Sequence, residues 1–596
     1  MRISVERPPV FSLGSTADLS AFLANGKSSE KRLTRKPFHG HVAAGKGSPF
    51  YRAHTYHTKV PPQGIEPFIC HYTRPGDVVL DPFCGSGMTG IAALTSGRRA
   101  ILNDLSPAAA FIAHHHCSPI DIDEFVSAAK LVVSAAKKRV GAIYQTACGK
   151  CGSDAEIIFT VWGDLFGCPQ CEAALSLWRD GLDRELRVLR ELVCPNCDTS
   201  FPKRRLKKLG HEPVLVHAKC PDCGRQEQLP SQEDLSKIDE ISSGNSLKRL
   251  WYPRDPIGKD NDELKRVLRS GVTSVDKLFT ARNLLALSTL YREIAEIEPV
   301  SLRQKLLFAF TASIPRTSRT NKYIPHLHIA PGPILGTMYL PGFYPELNVF
   351  RHFENKVRDI ARAMRALPSD IDVEQALRVQ AGAATNLSNV PDASIDYVFT
   401  DPPFGSNISY SDVNYLWECW LGCTTDRGHE AVVSRAQEKS VDDYGNLMCD
   451  SFREIHRVLK PGRWMTLVFH NTSADVWDAI LVALADARLQ PEAIYTFDKK
   501  QDSFKQVTAD GAVGFDVVLH CRRGNNRRKN SSGHKKATQV EVKKHIAKAL
   551  KQLSDEKDER RIERRLYSEA IAHFLNRGKR LDMDFQAFRL LLSKLR

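Results

Sequence analysis

The sequence predicts an α/β protein: a Rossmann-like sheet with helices on both faces, interrupted by a cysteine-rich insert and followed by a helical tail. Three observations predict it. A strand, a glycine turn, a helix and a second strand follow one another from Asp77 to Leu102. An equally apolar strand, Ser394 to Thr400, runs straight into Asp401-Pro402-Pro403-Phe404. Between them stand four Cys-x-x-Cys pairs in a stretch with no such alternation. Alternating strands and helices bury a parallel sheet under helices, whereas closely spaced cysteine pairs signal a small module held by metal.

Taken in order, residues 1–50 carry Gly, Ser, Lys and Arg without sustained periodicity and read as a basic N-terminal arm. Residues 51–146 hold the first half of the α/β domain, with strands at Asp77-Val-Val-Leu and Ala100-Ile-Leu and a helix over 121–146. The cysteine insert spans 147–245, and short strands are expected in it. Helical patterns resume near Ser274–Ile294 and Leu302–Ala312, within a helical and loop region over 246–374. The α/β pattern returns over 375–521: the strand before Asp401, a helix near 445–459 ending at Lys460-Pro461-Gly462, and a strand Trp464–Phe469. A helix near 474–487 and strands at 493–497 and 515–520 complete it. Residues 522–596 read as a basic linker and a charged helical tail.

The balance is basic, with 84 Lys and Arg against 69 Asp and Glu, a formal charge of +15. Such a surface gains from releasing counterions condensed on phosphates, so a polyanion is an expected partner. At 42% hydrophobic residues the chain can bury substantial cores, and the sequence contains no run long and apolar enough to cross a bilayer. The first residues lack a secretory core, and cysteine pairs without an export signal fit metal binding in a reducing compartment; no membrane and a cytoplasmic location are expected.

Gly85-Ser-Gly87-Met-Thr-Gly90 follows a strand and is followed, one strand later, by Asp104. Glycines admit a ligand close to the backbone, and an acid ending the next strand holds ribose hydroxyls. The pattern alone does not separate a dinucleotide from another nucleoside-bearing cofactor. Its flank, Asp81-Pro82-Phe83-Cys84, puts an acid, a ring-constrained residue and an aromatic where a dinucleotide site carries small apolar residues.

The second loop speaks to chemistry. An exocyclic base nitrogen is a poor nucleophile because its lone pair is delocalised into the ring. The Asp401 carboxylate and the Pro402 carbonyl can accept hydrogen bonds from the amino group and leave its lone pair facing an electrophile. Pro402 and Pro403 stiffen the loop and remove competing donors, and Phe404 offers a flat face to an extruded base.

Together these segments resemble the S-adenosylmethionine-dependent DNA amino-methyltransferases, the N6-adenine and N4-cytosine DNA methylase family. The resemblance extends to Gly405-Ser-Asn-Ile-Ser-Tyr410-Ser-Asp412, Tyr415-Leu-Trp417, Ser274 to Asn283 and Arg457 to Asn471, covering about 50–120 and 270–521. It implies a class I methyltransferase sheet and S-adenosylmethionine held by Asp81, Phe83, Gly85, Gly87 and Asp104. From His54 to Gln63 it adds Thr58 and Lys59 at the methionine end. It implies Asp401, Pro402, Pro403 and Phe404 as the catalytic loop. The glycine loop precedes the Asp-Pro-Pro-Phe loop, which resembles the arrangement with target recognition between the two. Gly382-Ala383-Ala384 departs from the family, which often has an acid there near the cofactor adenine.

Cys148-x-x-Cys151 and Cys168-x-x-Cys171 are separated by 16 residues, and Cys194-x-x-Cys197 and Cys220-x-x-Cys223 by 22. Four thiolates make a closed tetrahedral site, so two structural zinc ions are expected, paired in sequence order, with a crossed arrangement as the alternative. Basic loops such as Lys203 to Lys208, and Arg316, Arg319 and Lys322, are candidate DNA contacts. The expected activity is methylation of a DNA base amino group, adenine N6 first and cytosine N4 second. An RNA guanine-N2 methyltransferase and a non-catalytic nucleic-acid-binding protein that keeps the fold are the remaining alternatives. A restriction or phage-defence system is the expected source of partner proteins.

Overall fold

In a computed structural model of the chain, the described residues are 19–24, 36–38, 42, 47–334, 336–369, 371–406, 408–497, 516–524, 535–550 and 559–595. They divide into two compact units. One comprises 120–362 with 419–422, and the other 12–119, 363–418 and 423–596; Met1–Phe11, clustered with the first, lies outside the described residues.

The second unit begins with helix α1 (Pro62–Tyr72), strand β1 (Val78–Asp81), helix α2 (Met88–Thr95), strand β2 (Arg99–Asp104) and helix α3 (Pro107–Cys117). The chain then builds the other unit from strands β3 (Asp154–Gly167), β4 (Lys207–Cys220) and β5 (Gly224–Gln228), helices α4 (Gln232–Ser243) and α5 (Ala281–Ala295), and strand β6 (Phe343–Leu347). On return it adds strands β7 (Leu377–Ala381) and β8 (Ile395–Thr400), helices α6 (Tyr410–Leu421) and α7 (Val441–Val458), strand β9 (Leu459–Phe469) and helix α8 (Ala474–Asp486). Strands β10 (Leu489–Phe497) and β11 (Asp516–Arg523) and helices α9 (Gln539–Leu550), α10 (Glu559–Leu575) and α11 (Phe585–Ser593) finish it.

The seven-stranded sheet has the order β7-β2-β1-β8-β9-β11-β10. The strands from β7 to β9 pair in parallel, and β11 runs antiparallel to both β9 and β10. β1 and β8 are buried at every position, as parallel strands covered on both faces must be. The strand order reverses beside β1, and ligands bind such sheets at the carboxyl ends of the strands flanking that reversal. Asp81 and Asp104 end β1 and β2, and Asp401 follows β8.

Several expectations change. The helix predicted over 121–146 is Ile122–Val140, because Gly141 takes a positive φ of 68° and Gln145–Ala147 is a strand. The helix expected from Ser274 starts at Ala281, with Thr280 as its cap. The insert's strands β3 and β4 run 14 residues each instead of being short. Strand β7 went unread because its residues are mostly half-buried and show no clear alternation. The tail helices bury Val542, Ile546, Tyr567 and Phe588 in the same core as Val398 and Leu467 of the sheet. Of the N-terminal arm, Leu19–Ala24 forms a helix whose Leu19 and Phe22 join that core, while most of 1–46 lies outside the described residues, as does 525–534 of the basic linker. Among the described residues, no helix is long and apolar enough to cross a membrane.

Candidate active site and metal centres

Asp81 closes β1 with its carboxylate turned into the glycine loop. It accepts hydrogen bonds from the Phe83 amide (3.1 Å) and the Thr89 hydroxyl (2.6 Å), tying the strand end to the first turn of α2. Burial pushes its pKa up to about 7, with the charge of Asp104 adding to the effect. Gly85 adopts a φ of 50° and donates its amide to Asp104 Oδ2 at 2.8 Å; the other Asp104 oxygen accepts from the Ser106 amide at 2.9 Å. Burial raises the Asp104 pKa to about 6. The other two glycines serve packing. A Cβ at Gly87 would lie 2.8 Å from Ala113 Cα, and one at Gly90 2.6 Å from Leu102 Cδ1, so α2 sits against α3 and β2 only without side chains there.

The second loop is held by its carbonyls. Tyr444 on α7 donates to the Pro403 carbonyl at 2.8 Å, and Asn471, beyond β9, donates to the Phe404 carbonyl at 2.7 Å. With Pro402 buried and neither proline carrying an N–H, the loop has few alternatives. The Phe404 ring meets Phe469 edge-on at 5.5 Å and lies 5.9 Å from His470. Tyr410 shares a 2.8 Å hydrogen bond with Thr58, and burial together with the Asp401 charge holds its hydroxyl proton well above the usual tyrosine range. Lys59 donates to the carbonyls of Tyr51 (3.0 Å) and His54.

Both loops open into one cleft of about 950 Å³, counting its mouth. Thr58, Lys59, Asp81, Phe83, Gly85, Asp104, Asp401 and Pro403 line it; Gly87, Pro402 and Phe404 do not. Four further residues, Tyr56, Ala384, Thr385 and Glu430, also line the cleft. Tyr56 stacks on Trp417 at 5.8 Å with planes 8° apart, and its ring would stand 3.0 Å from a Cβ at Gly85. Ala384 and Thr385 lie in the lining, while the Gly382 amide is spent on the Asp104 carbonyl at 2.9 Å. Glu430 is buried and receives the amide (2.9 Å) and hydroxyl (2.6 Å) of Ser411 and the Gln437 amide (2.7 Å). No sequence pattern marks Glu430; an isolated acid in a loop carries no such signal.

The cysteines assemble differently from the expected pairing. Cys148, Cys151, Cys220 and Cys223 form one group, and Cys168, Cys171, Cys194 and Cys197 the other. The reason is the antiparallel pairing of β3 with β4: Glu156 lies opposite Lys219 and Gly167 opposite Lys207. The first and fourth pairs therefore meet at one end of the ribbon, and the second and third at the other. Sulfur separations of 3.6 Å (Cys151–Cys220, Cys171–Cys194) and 3.7 Å (Cys168–Cys197) are far beyond a disulfide bond. They match the roughly 3.8 Å between thiolates set tetrahedrally about an ion at ~2.3 Å. Each group can hold one metal ion.

The sheet order and the cleft at its carboxyl edge define a Rossmann-like α/β fold. Residues 23–114 match the DNA methylase family of the N6/N4 type. The chain is 48% identical over 52 residues to putative methylase YubD of Escherichia coli (strain K12), covering 9% of this chain and 23% of that protein. It is 44% identical over 59 residues to the type II methyltransferase M.XycI of Xanthomonas campestris pv. cyanopsidis, 10% of this chain and 19% of that one. The chain thus matches about a fifth of the length of these relatives. Among solved structures, geranyl diphosphate methyltransferase in complex with GPP and sinefungin aligns with 27% of this chain and 58% of its own, at 14% identity and a TM-score of 0.16.

Proposed function

We propose that this chain transfers a methyl group from S-adenosylmethionine to an exocyclic amino group of a DNA base, adenine N6 ahead of cytosine N4. One observation carries the reading: Gly85 of the glycine loop, Asp104 at the end of β2, and Asp401 and Pro403 of the second loop line a single cleft. The Asp104 carboxylate, fixed by two backbone amides, keeps lone pairs for ribose hydroxyls. With the Gly382 amide engaged, adenine contacts fall to Ala384 and Thr385. S-adenosylmethionine, when bound, supplies a methyl group already activated by the sulfonium.

The chain's own residues then have to align and polarise the amine. Asp401 and the Pro402 carbonyl accept its two N–H bonds, so that the lone pair turns out of conjugation. The loop holds those acceptors in place through Tyr444 and Asn471. A target nitrogen reaches this depth only in a base taken out of the stack. The eight cysteines bind two structural zinc ions, whose closed thiolate sets leave no position for catalysis. The basic surface favours DNA, and proteins of a restriction or phage-defence system are the candidate partners.

Incubation of the full chain with methyl-labelled S-adenosylmethionine and DNA, followed by digestion to nucleosides, tests this. Labelled N6-methyldeoxyadenosine is expected, and Asp401→Ala should abolish it while cofactor affinity stays within about twofold. Label found only as N2-methylguanosine in RNA, or activity that survives in Asp401→Ala, would overturn the assignment.

A further inference from the structure

Tyr410 is the first residue of α6, and it lines the cleft together with Thr58, Asp104 and Asp401. It is half-buried, and its hydroxyl shares one hydrogen bond with that of Thr58, at 2.8 Å. A phenol is the more acidic of two such hydroxyls and its oxygen the weaker acceptor, so Tyr410 donates and Thr58 accepts. The Tyr410 proton is thereby committed. The lone pairs of its oxygen are not, since among the described residues Thr58 alone bonds to that hydroxyl.

The surroundings of this oxygen are acidic. The charges of Asp401, Asp104 and Glu430 all reach it and, with burial, hold the phenol in its neutral form. The carboxylates that oppose a tyrosinate there favour a cation. Lys59, beside Thr58 in the chain, turns its ammonium to the carbonyls of Tyr51 (3.0 Å) and His54 instead. The other phenol of the lining, Tyr56, is only 4% exposed, and its oxygen accepts from the Asn414 amide at 3.4 Å.

The connectivity of S-adenosylmethionine fixes where its positive charge falls. Its sulfur is bonded to the ribose C5′, to the methionine chain and to the methyl group. With ribose hydroxyls at Asp104, the methionine end at Thr58 and Lys59, and the amine at Asp401, the three branches meet among the residues that surround the Tyr410 hydroxyl. A neutral phenol oxygen with lone pairs to spare can accept from the C–H bonds of a methyl polarised by the sulfonium.

We propose that the Tyr410 oxygen contacts the sulfonium methyl group and so makes this cleft prefer the charged cofactor to its neutral product. The cofactor itself rests on the proposed function.

Calorimetry of the full chain with three ligands tests this. They are S-adenosylmethionine; S-adenosylhomocysteine, which has neither the methyl nor the charge; and sinefungin, which carries a carbon-bound ammonium in place of the S-methyl. Tyr410→Phe keeps the ring and removes the oxygen, so its affinity for S-adenosylhomocysteine is expected within about twofold of wild type. S-adenosylmethionine should bind about threefold more weakly, as for one weak C–H···O contact. Sinefungin should lose roughly tenfold or more, because its ammonium makes a charge-assisted N–H···O bond to the same oxygen. Thr58→Val, which unfastens the phenol without touching it, should give the same order of losses at smaller size and serves if Tyr410→Phe does not fold. Equal weakening of all three ligands overturns the proposal, since it marks a tyrosine that only supports the fold. No change in any of them overturns it too, since the oxygen then faces elsewhere. Wild-type protein that binds none of the three would refute the cofactor reading itself, whereas graded losses in a chain that methylates no DNA would refute the substrate and leave this inference standing.

Discussion

Asn471 donates its side-chain amide to the carbonyl of Phe404 at 2.7 Å, so the turn after β9 holds the turn after β8. Asn471 is itself fixed, accepting the Ser473 amide at 2.6 Å on its side chain and the Trp477 indole N–H at 3.1 Å on its carbonyl. The position of Asp401, in the same turn, is thus set partly by a neighbouring strand.

Replacing Asn471 by Ala leaves the Phe404 carbonyl without its donor, at a cost of about 1–3 kcal/mol. If the loop must be held for transfer, kcat falls roughly 10- to 100-fold, the same free energy spent on alignment. Cofactor affinity, measured by calorimetry, is expected within about twofold of wild type, since Gly85 and Asp104 are untouched. An unchanged kcat would show that the loop is positioned without Asn471.

Asp104 carries a pH dependence. Its pKa stands at about 6 in the fold against an ordinary 3.8. The folded chain keeps a proton that the unfolded chain has released, so this group's contribution to stability falls as pH rises between those values. Under the proposed function cofactor binding runs the other way, because ribose hydroxyls would need the carboxylate. Affinity for S-adenosylmethionine should rise nearly tenfold from about pH 5 to about pH 7 and then level off. Asp104→Asn should flatten that profile; a slope that persists in the variant would assign the titration elsewhere.

The nested cysteine groups can be told from sequential pairing by metal content. Cys148→Ser with Cys220→Ser touches one group only, so one zinc per chain should remain. Cys148→Ser with Cys168→Ser touches both and should lower the content toward zero. Under sequential pairing the two results would be reversed. Structural zinc contributes folding free energy outright, so each loss should also lower the thermal midpoint.

The tail belongs to the core of its unit. Phe588 on α11 is fully buried, and Tyr567 on α10 donates to the Thr472 carbonyl at 3.2 Å, next to Asn471. Phe588→Ala should therefore cost about 3–5 kcal/mol in chemical denaturation of the full chain. A cost below about 1 kcal/mol would mean that the tail is an appendage after all.

The sheet's central strands and both chemical loops were legible because they are local. A strand buried on both faces is an unbroken apolar run, and positive-φ glycines or a diproline leave the same residues behind in any chain that uses them. Gly85, Asp104 and Asp401 could each be named from their neighbours in sequence. The gaps were non-local. Glu430 enters the cleft from a loop with no pattern, and β7 lacks the alternation that marks a strand.

The sequence by itself determined which residues could do chemistry: eight thiolates in pairs, an acid at the end of each of three strands, and a rigid loop of acceptors. Only the tertiary structure decided which of them meet. Antiparallel pairing of β3 with β4 nested the cysteine pairs, and the parallel register of β1, β2 and β8 set Asp81, Asp104 and Asp401 along one edge. The physical reason is that a motif is written in adjacent residues, whereas strand order and register depend on which apolar faces bury each other across the chain.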